Sequence, residues 1–271
     1  MKLAIMHPSV LARGVDDLAE LTRRGIAGVQ VEPSLLMDEE GKLRQPAAAA
    51  AAPFEAAGLA VPAWCAYRSL IGPDEQVAAN LWHQKRVITL ASRFRSLAGE
   101  KTRPVVCTET GDPAEHPDRS HESLWDQLRE SVGVLLAHAA ERDVCLAIEP
   151  TRSHIVDSAR AARRLVDQVA SEHLGICFDP ANTCGDKDHL GRAIHLLSDA
   201  IVLVHAKDVA FGAGGEVTAY PPAGKGQLDY PKFVALCSEL GTCRYIVLEY
   251  LSTPEQAEEA IGFIRGLLPV E

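Results

Sequence analysis

Residues 144–150 read VCLAIEP, an apolar run that ends on Glu149. Three later stretches repeat the pattern: LGICFDP (174–180) ends on Asp179, IVLVHAKD (201–208) carries His205, and YIVLEYL (245–251) carries Glu249. Each otherwise reads as a strand buried on both faces. A buried carboxylate with nothing to neutralise it costs several kcal/mol and takes up a proton instead. One such group near the C-terminal end of each of four strands implies a shared cation.

Working outward from these runs, strand and helix signals alternate eight times. Apolar strand runs fall at 3–7, 28–32, 60–66, 104–109, 144–149, 175–179, 201–207 and 245–250. Helical segments lie between and after them, at 15–24, 47–58, 74–98, 120–141, 157–170, 188–199, 231–240 and 254–267. Eight βα repeats in this length predict an α/β fold, a (β/α)8 TIM barrel forming a single domain over 1–271. An open doubly wound sheet is the alternative, but no GxGxxG follows the first strand. Pro53 interrupts the alanine run of 47–52 and predicts a kinked or split helix. The Gly/Pro-rich segment FGAGGEVTAYPPAGKGQL (211–228) predicts a long loop on the C-terminal face.

Composition narrows the function classes. The 271 residues are 47% hydrophobic and 24% charged, as in ordinary globular chains. A net charge of −10 disfavours a nucleic-acid partner. No apolar stretch approaches the roughly 20 residues that span a bilayer, and the N-terminus lacks a signal-peptide apolar region. The expectation is a soluble cytoplasmic protein without a membrane partner. The seven cysteines include no CxxC pair, so neither a disulfide framework nor a thiolate zinc site is expected. Cys107, Cys145 and Cys177 read as small buried hydrophobes, and Cys184 as a loop residue.

Strand alternation sorts the remaining residues. If Glu149 points into the barrel, so do Ala147 and Cys145; Asp179 brings Cys177 and Gly175; Glu249 brings Val247 and Tyr245. His205 brings Leu203 and Ile201 below it and Lys207 above it. Active sites of such barrels sit at the C-terminal strand ends, where His7, Glu32, Trp64 and Glu109 also fall. Arg152, His154, Asn182 and Lys207 are further candidates for contact with substrate. Gly224-Lys225-Gly226 is a weak candidate phosphate cradle. Three carboxylates and one imidazole form a hard site suited to Mn²⁺, Mg²⁺ or Co²⁺ and compatible with Zn²⁺. A cation holding adjacent carbonyl and hydroxyl oxygens acidifies the neighbouring C–H. Glu149 and Glu249, from the fifth and eighth strands, are placed to act on that carbon as an acid/base pair.

The strings IEPTRSH, GICFDPAN, VHAKDV, AGKGQLDY and YIVLEY resemble the sugar phosphate isomerase/epimerase family, of the xylose isomerase-like TIM barrel superfamily. Ketose 3-epimerases, inosose dehydratases and isomerases, and hydroxypyruvate isomerases belong to it. The resemblance implies a divalent metal, often Mn²⁺, on Glu149, Asp179, His205 and Glu249, with both glutamates also acting as acid and base. It implies a small sugar or cyclitol substrate and is compatible with a homo-oligomer. Many ketose 3-epimerases have His where this chain has Asn182, and an arginine past the seventh strand where it has Lys207-Asp208-Val209-Ala210-Phe211. The HAKD and GKGQLD forms look more like inositol-catabolism relatives or uncharacterised isomerase-like members. An inosose dehydratase-type lyase would use the same site. A nuclease of the AP endonuclease kind needs more His and Asp ligands than this pattern offers, and a non-catalytic binding protein would not need the intact quartet.

Overall fold

Eight parallel strands close on themselves in the spatial order Lys2–His7, Tyr245–Leu248, Ile201–Ala206, Leu174–Phe178, Cys145–Ile148, Val105–Thr108, Ala60–Cys65 and Gly28–Val31. The computed structural model describes residues 1–99, 102–183 and 188–269. The barrel strands are β1 (Lys2–His7), β2 (Gly28–Val31), β3 (Ala60–Cys65), β4 (Val105–Thr108), β5 (Cys145–Ile148), β6 (Leu174–Phe178), β7 (Ile201–Ala206) and β10 (Tyr245–Leu248). A short antiparallel ribbon, β8 (Ala210–Phe211) with β9 (Val217–Ala219), follows β7. The segment 211–228 is therefore not a bare loop, as its glycines and prolines had implied.

Among the described residues the helices are α1 (Leu18–Arg23), α2 (Ala47–Ala57), α3 (Asp74–Arg93), α4 (His121–Ala140), α5 (Ala159–Val169), α6 (Pro180–Thr183), α7 (Leu190–Leu196), α8 (Tyr230–Ser238) and α9 (Pro254–Leu267). Ser120, Ser158, Asp229 and Thr253 each cap a helix by accepting a backbone N–H. Such a cap is worth about 1 kcal/mol. The break expected at Pro53 does not occur: α2 runs through it. Proline's fixed φ is helical, so the chain stays helical although the ring removes one N–H and crowds the carbonyl of Ala49.

Alternation along the strands builds two cores. Outward side chains join the helices in one large apolar shell that includes Leu3, Ile5, Val31, Val106, Leu146, Ile176 and Val204. Inward side chains form a smaller core of Ala4, Ala63, Val105, Cys107, Cys145, Ala147, Cys177, Leu203, Tyr245 and Val247. These are small to medium side chains for the most part, which fill the narrow interior of an eight-stranded barrel. One expectation fails here. Ile201 belongs to the outer shell, because a bulge between the Ile176–Ile201 and Cys177–Leu203 pairs resets the alternation on β7. The six cysteines among the described residues are buried free thiols; Cys184 lies outside them.

Candidate metal centre

Three quartet members directly follow their strands, and the fourth lies one residue before the end of its own. Glu149 follows β5 directly and its N–H donates to the Thr108 carbonyl at 2.9 Å, so the backbone is still held by the sheet. Asp179 follows β6 and divides its carboxylate. Oδ1 accepts the Ala181 N–H at 2.8 Å at the start of α6, which leaves Oδ2 turned to the barrel axis. His205 lies within β7, and Glu249 follows β10. Tyr250, next to Glu249, adopts a left-handed backbone with φ 57°. A non-glycine residue held there costs about 1–3 kcal/mol and marks a backbone constrained by its surroundings.

One ligand atom from each of Glu149, Asp179, His205 and Glu249 lies within 4.8 Å of all the others. All four residues are buried. His205 Nδ1 stands 3.4 Å from Glu149 Oε2 and 3.5 Å from Glu249 Oε2, without a hydrogen bond of its own. Lys207 Nζ enters the same group, 2.6 Å from Asp179 Oδ2 and 2.8 Å from Glu249 Oε1. The contact with Asp179 is a buried charge pair. Tyr250 and Tyr220 present their ring faces to the ammonium at 4.6 and 5.5 Å.

The electrostatics call for positive charge. Burial pushes the His205 imidazole down, but the carboxylates of Glu149 and Glu249 outweigh it and hold its pKa at about 10. Lys207 is likewise opposed by burial and held far up by Asp179 and Glu249. For Asp179, burial dominates and raises the carboxyl to about 7, against the pull of Lys207. For Glu149, burial is outweighed by His205, Lys207 and a Tyr67 hydrogen bond, and its pKa falls to about 2. An orphaned imidazole nitrogen ringed by three carboxylates is a donor set that fits a hard divalent cation.

The other predicted residues divide. Asn182 donates to Glu149 Oε1 at 2.8 Å, so it joins the site, as does Lys207. Glu109 and His154 meet each other, with His154 Nε2 4.0 Å from Glu109 Oε2. The His154 ring borders a crevice of about 330 Å³ together with Arg152, Asp112 and His121. Neither Glu109 nor His154 contacts the quartet by a hydrogen bond or ion pair among the described residues. Glu32 is exposed.

Two assignments are corrected. Trp64 belongs to the outer shell, edge-on to Phe94 at 5.2 Å, because Ala63 and Cys65 take the inward positions of β3. His7 shares the outward face of Leu3 and Ile5, while Ala4 and Met6 pack against the inner core. Its ring is buried and makes no regular hydrogen bond, and burial drives its pKa down to about 4. The phosphate cradle is also overturned. The Gly224 N–H is taken by Asp208 Oδ2 at 3.1 Å, and a Cβ on Gly226 would lie 2.4 Å from Asp208 Oδ1. The loop wraps a carboxylate of its own chain.

Residues not foreseen complete the surroundings. Gln30 on β2 is fully buried, with Oε1 2.9 Å from His205 Nε2. Its Nε2 donates to Tyr67 Oη at 3.2 Å, and Tyr67 donates to Glu149 Oε2 at 2.9 Å. The available signal was an amide in GVQV, a strand otherwise apolar on both faces. Beneath the quartet, one ligand atom each from Cys107, Cys177 and His205 lie within 4.8 Å of one another.

The family model described as xylose isomerase-like TIM barrel matches residues 18–267. No match was found among curated protein sequences. Among solved structures, the chain is similar to the 3-keto-D-glucoside 4-epimerase YcjR from E. coli, with a TM-score of 0.79, 19% identity, and 98% and 99% of the two chains covered. The zinc-bound IolI protein follows at TM-score 0.77 and 16% identity, covering 98% and 96%. Mannonate dehydratase from Streptococcus suis serotype 2 is similar at TM-score 0.73 and 17% identity, covering 98% and 92%.

Proposed function

The chain belongs to the xylose isomerase-like TIM barrel family, and from that premise we propose that it is a divalent-metal-dependent sugar isomerase or epimerase. Its substrate is a keto-sugar, a keto-inositol or a related small polyol carbonyl. One observation carries the reading: four buried ligand atoms, from strand ends on one side of the barrel, lie within 4.8 Å of one another. Glu149, Asp179, His205 and Glu249 would hold the ion, for which Mn²⁺ is our assignment; Mg²⁺, Co²⁺ and Zn²⁺ suit the same donors. When bound, the cation supplies Lewis-acid polarisation of the substrate carbonyl, which acidifies the adjacent C–H. Glu149 and Glu249 stand on separate strands, so one carboxylate removes the proton and the other returns it. Lys207 offers the charge that steadies an enediolate oxygen, and Asn182 offers an amide to a substrate hydroxyl. A cytoplasmic location and a single-domain chain are part of the same reading; no helix among the described residues is long and apolar enough to cross a membrane.

The test is hydrogen exchange. Incubating the Mn²⁺-loaded protein in D₂O with a panel of ketoses and inososes should place deuterium on a carbon next to the carbonyl. No exchange with any member would sink the proposal. An unsaturated ketone absorbance instead would move the chemistry to a dehydratase.

A further inference from the structure

The hydrogen bonds from Glu149 to His205 run in one direction only. The Tyr67 hydroxyl donates to Glu149 Oε2 at 2.9 Å and so spends its single proton there. Tyr67 therefore accepts at its other side, and the group 3.2 Å away on Gln30 must be the amide N–H₂. That fixes the amide orientation: Gln30 Oε1 is the atom facing His205 Nε2 at 2.9 Å. A carbonyl oxygen cannot donate, so Nε2 carries a proton. Nδ1 is then the nitrogen that can release its proton to an arriving cation and offer a lone pair, and it is the one turned toward Glu149 and Glu249 at 3.4 and 3.5 Å. The second Gln30 N–H points at Cys65 Sγ at 3.6 Å, which reinforces the same orientation.

We propose that Gln30 is a positioning residue for the metal centre: with Tyr67 it locks His205 to metal ligation through Nδ1 and ties that choice to the orientation of Glu149. The inference rests on the metal-dependent reading above. A ligating imidazole normally hands its other N–H to a fixed acceptor, and loss of that acceptor costs about 10–100-fold in metal affinity. Here the acceptor is a neutral amide with no exposure to solvent. It is itself oriented by a phenol bound to a second ligand, so displacing one ligand disturbs the other.

Two measurements test it. In the wild-type protein loaded with diamagnetic Zn²⁺, ¹⁵N-detected correlation of the His205 ring should show a protonated Nε2 and a metal-shifted Nδ1. The opposite pattern overturns the proposal without any variant. Calorimetric titration with Mn²⁺ then compares substitutions. Gln30→Met removes the acceptor and should weaken binding about 10–100-fold, while Gln30→Glu, which keeps an acceptor, should restore it to within a few fold. Equal affinity in wild type and Gln30→Met overturns the proposal. If His205→Ala binds Mn²⁺ as tightly as wild type, the metal reading itself fails; if it loses the ion while Gln30→Met does not, only the role of Gln30 fails. Should Gln30→Met not fold, the spectrum of the wild-type protein decides.

Discussion

Lys207 Nζ lies 2.6 Å from Asp179 Oδ2, with both side chains shut off from solvent. The ammonium neutralises part of the charge that a bound cation would also neutralise. The Lys207→Met protein should therefore be less stable by about 3–5 kcal/mol without metal, as when one partner of a buried pair is removed. Urea unfolding in EDTA and in saturating Mn²⁺ checks this. The loss should shrink in Mn²⁺, and an equal loss in both would show that Lys207 and the ion do not share the same charges.

Metal should stabilise the fold by mass action. At 100 times its Kd, the ion adds about 2.7 kcal/mol, or about 5–10 °C in Tm for a chain of this size. Scanning calorimetry with EDTA and Mn²⁺ measures the shift. His205→Ala should abolish it, and a full shift in that variant would remove His205 from the ligand set.

Trp64 separates packing from chemistry. Because it meets Phe94 in the outer shell, Trp64→Phe should lower stability by about 1–3 kcal/mol and leave Mn²⁺ affinity unchanged. A change in Mn²⁺ affinity would return Trp64 to the site.

Asp208 fastens the segment that follows β7. Its Oδ1 accepts from Val209 and Leu228 at 2.8 and 3.0 Å, and its Oδ2 from Gly224 at 3.1 Å. Asp208→Asn should speed amide hydrogen exchange chiefly at Gly224, and Asp208→Ala at all three positions. Of the three residues only Val209 is buried, and its N–H left unpaired costs about 1–3 kcal/mol. Unchanged exchange in Asp208→Ala would show that the loop is held elsewhere.

His7 gives the fold an acid limit. Its folded pKa is about 4 against an ordinary 6.5, so the unfolded chain binds the proton first as pH falls. Its contribution is complete above pH 6.5 and is lost as pH drops toward 4, by at most about 3 kcal/mol. Urea unfolding of wild type and His7→Phe between pH 7 and 4 should differ in slope in that sense. Parallel curves would mean that the His7 ring reaches water.

The convergence of the quartet was legible because its residues contradict their surroundings: a carboxylate at the end of VCLAI or LGICF calls for a positive partner. The barrel was legible from the count of alternations. The errors share one cause, which is that facing depends on register to the single residue. His7 and Trp64 sit at strand ends but on the outward face, and a bulge on β7 turned Ile201 outward against the expected alternation. Gln30 and Tyr67 escaped because neither falls in a quartet motif, Gln30 lying inside a short apolar strand and Tyr67 just past the end of another. Their roles follow from distances across β2, β3 and β5 that no local pattern encodes.

The thiols of Cys107 and Cys177 beneath His205 give the barrel axis a gradient of chemical softness. Oxygen donors crowd the mouth, sulfur donors line the floor, and the imidazole stands at the boundary between them. A thiophilic ion that reaches the floor and a hard ion seated at the mouth compete for the same ring. Copper, cadmium or mercury would then draw the ring from below, with every carboxylate of the site still in place.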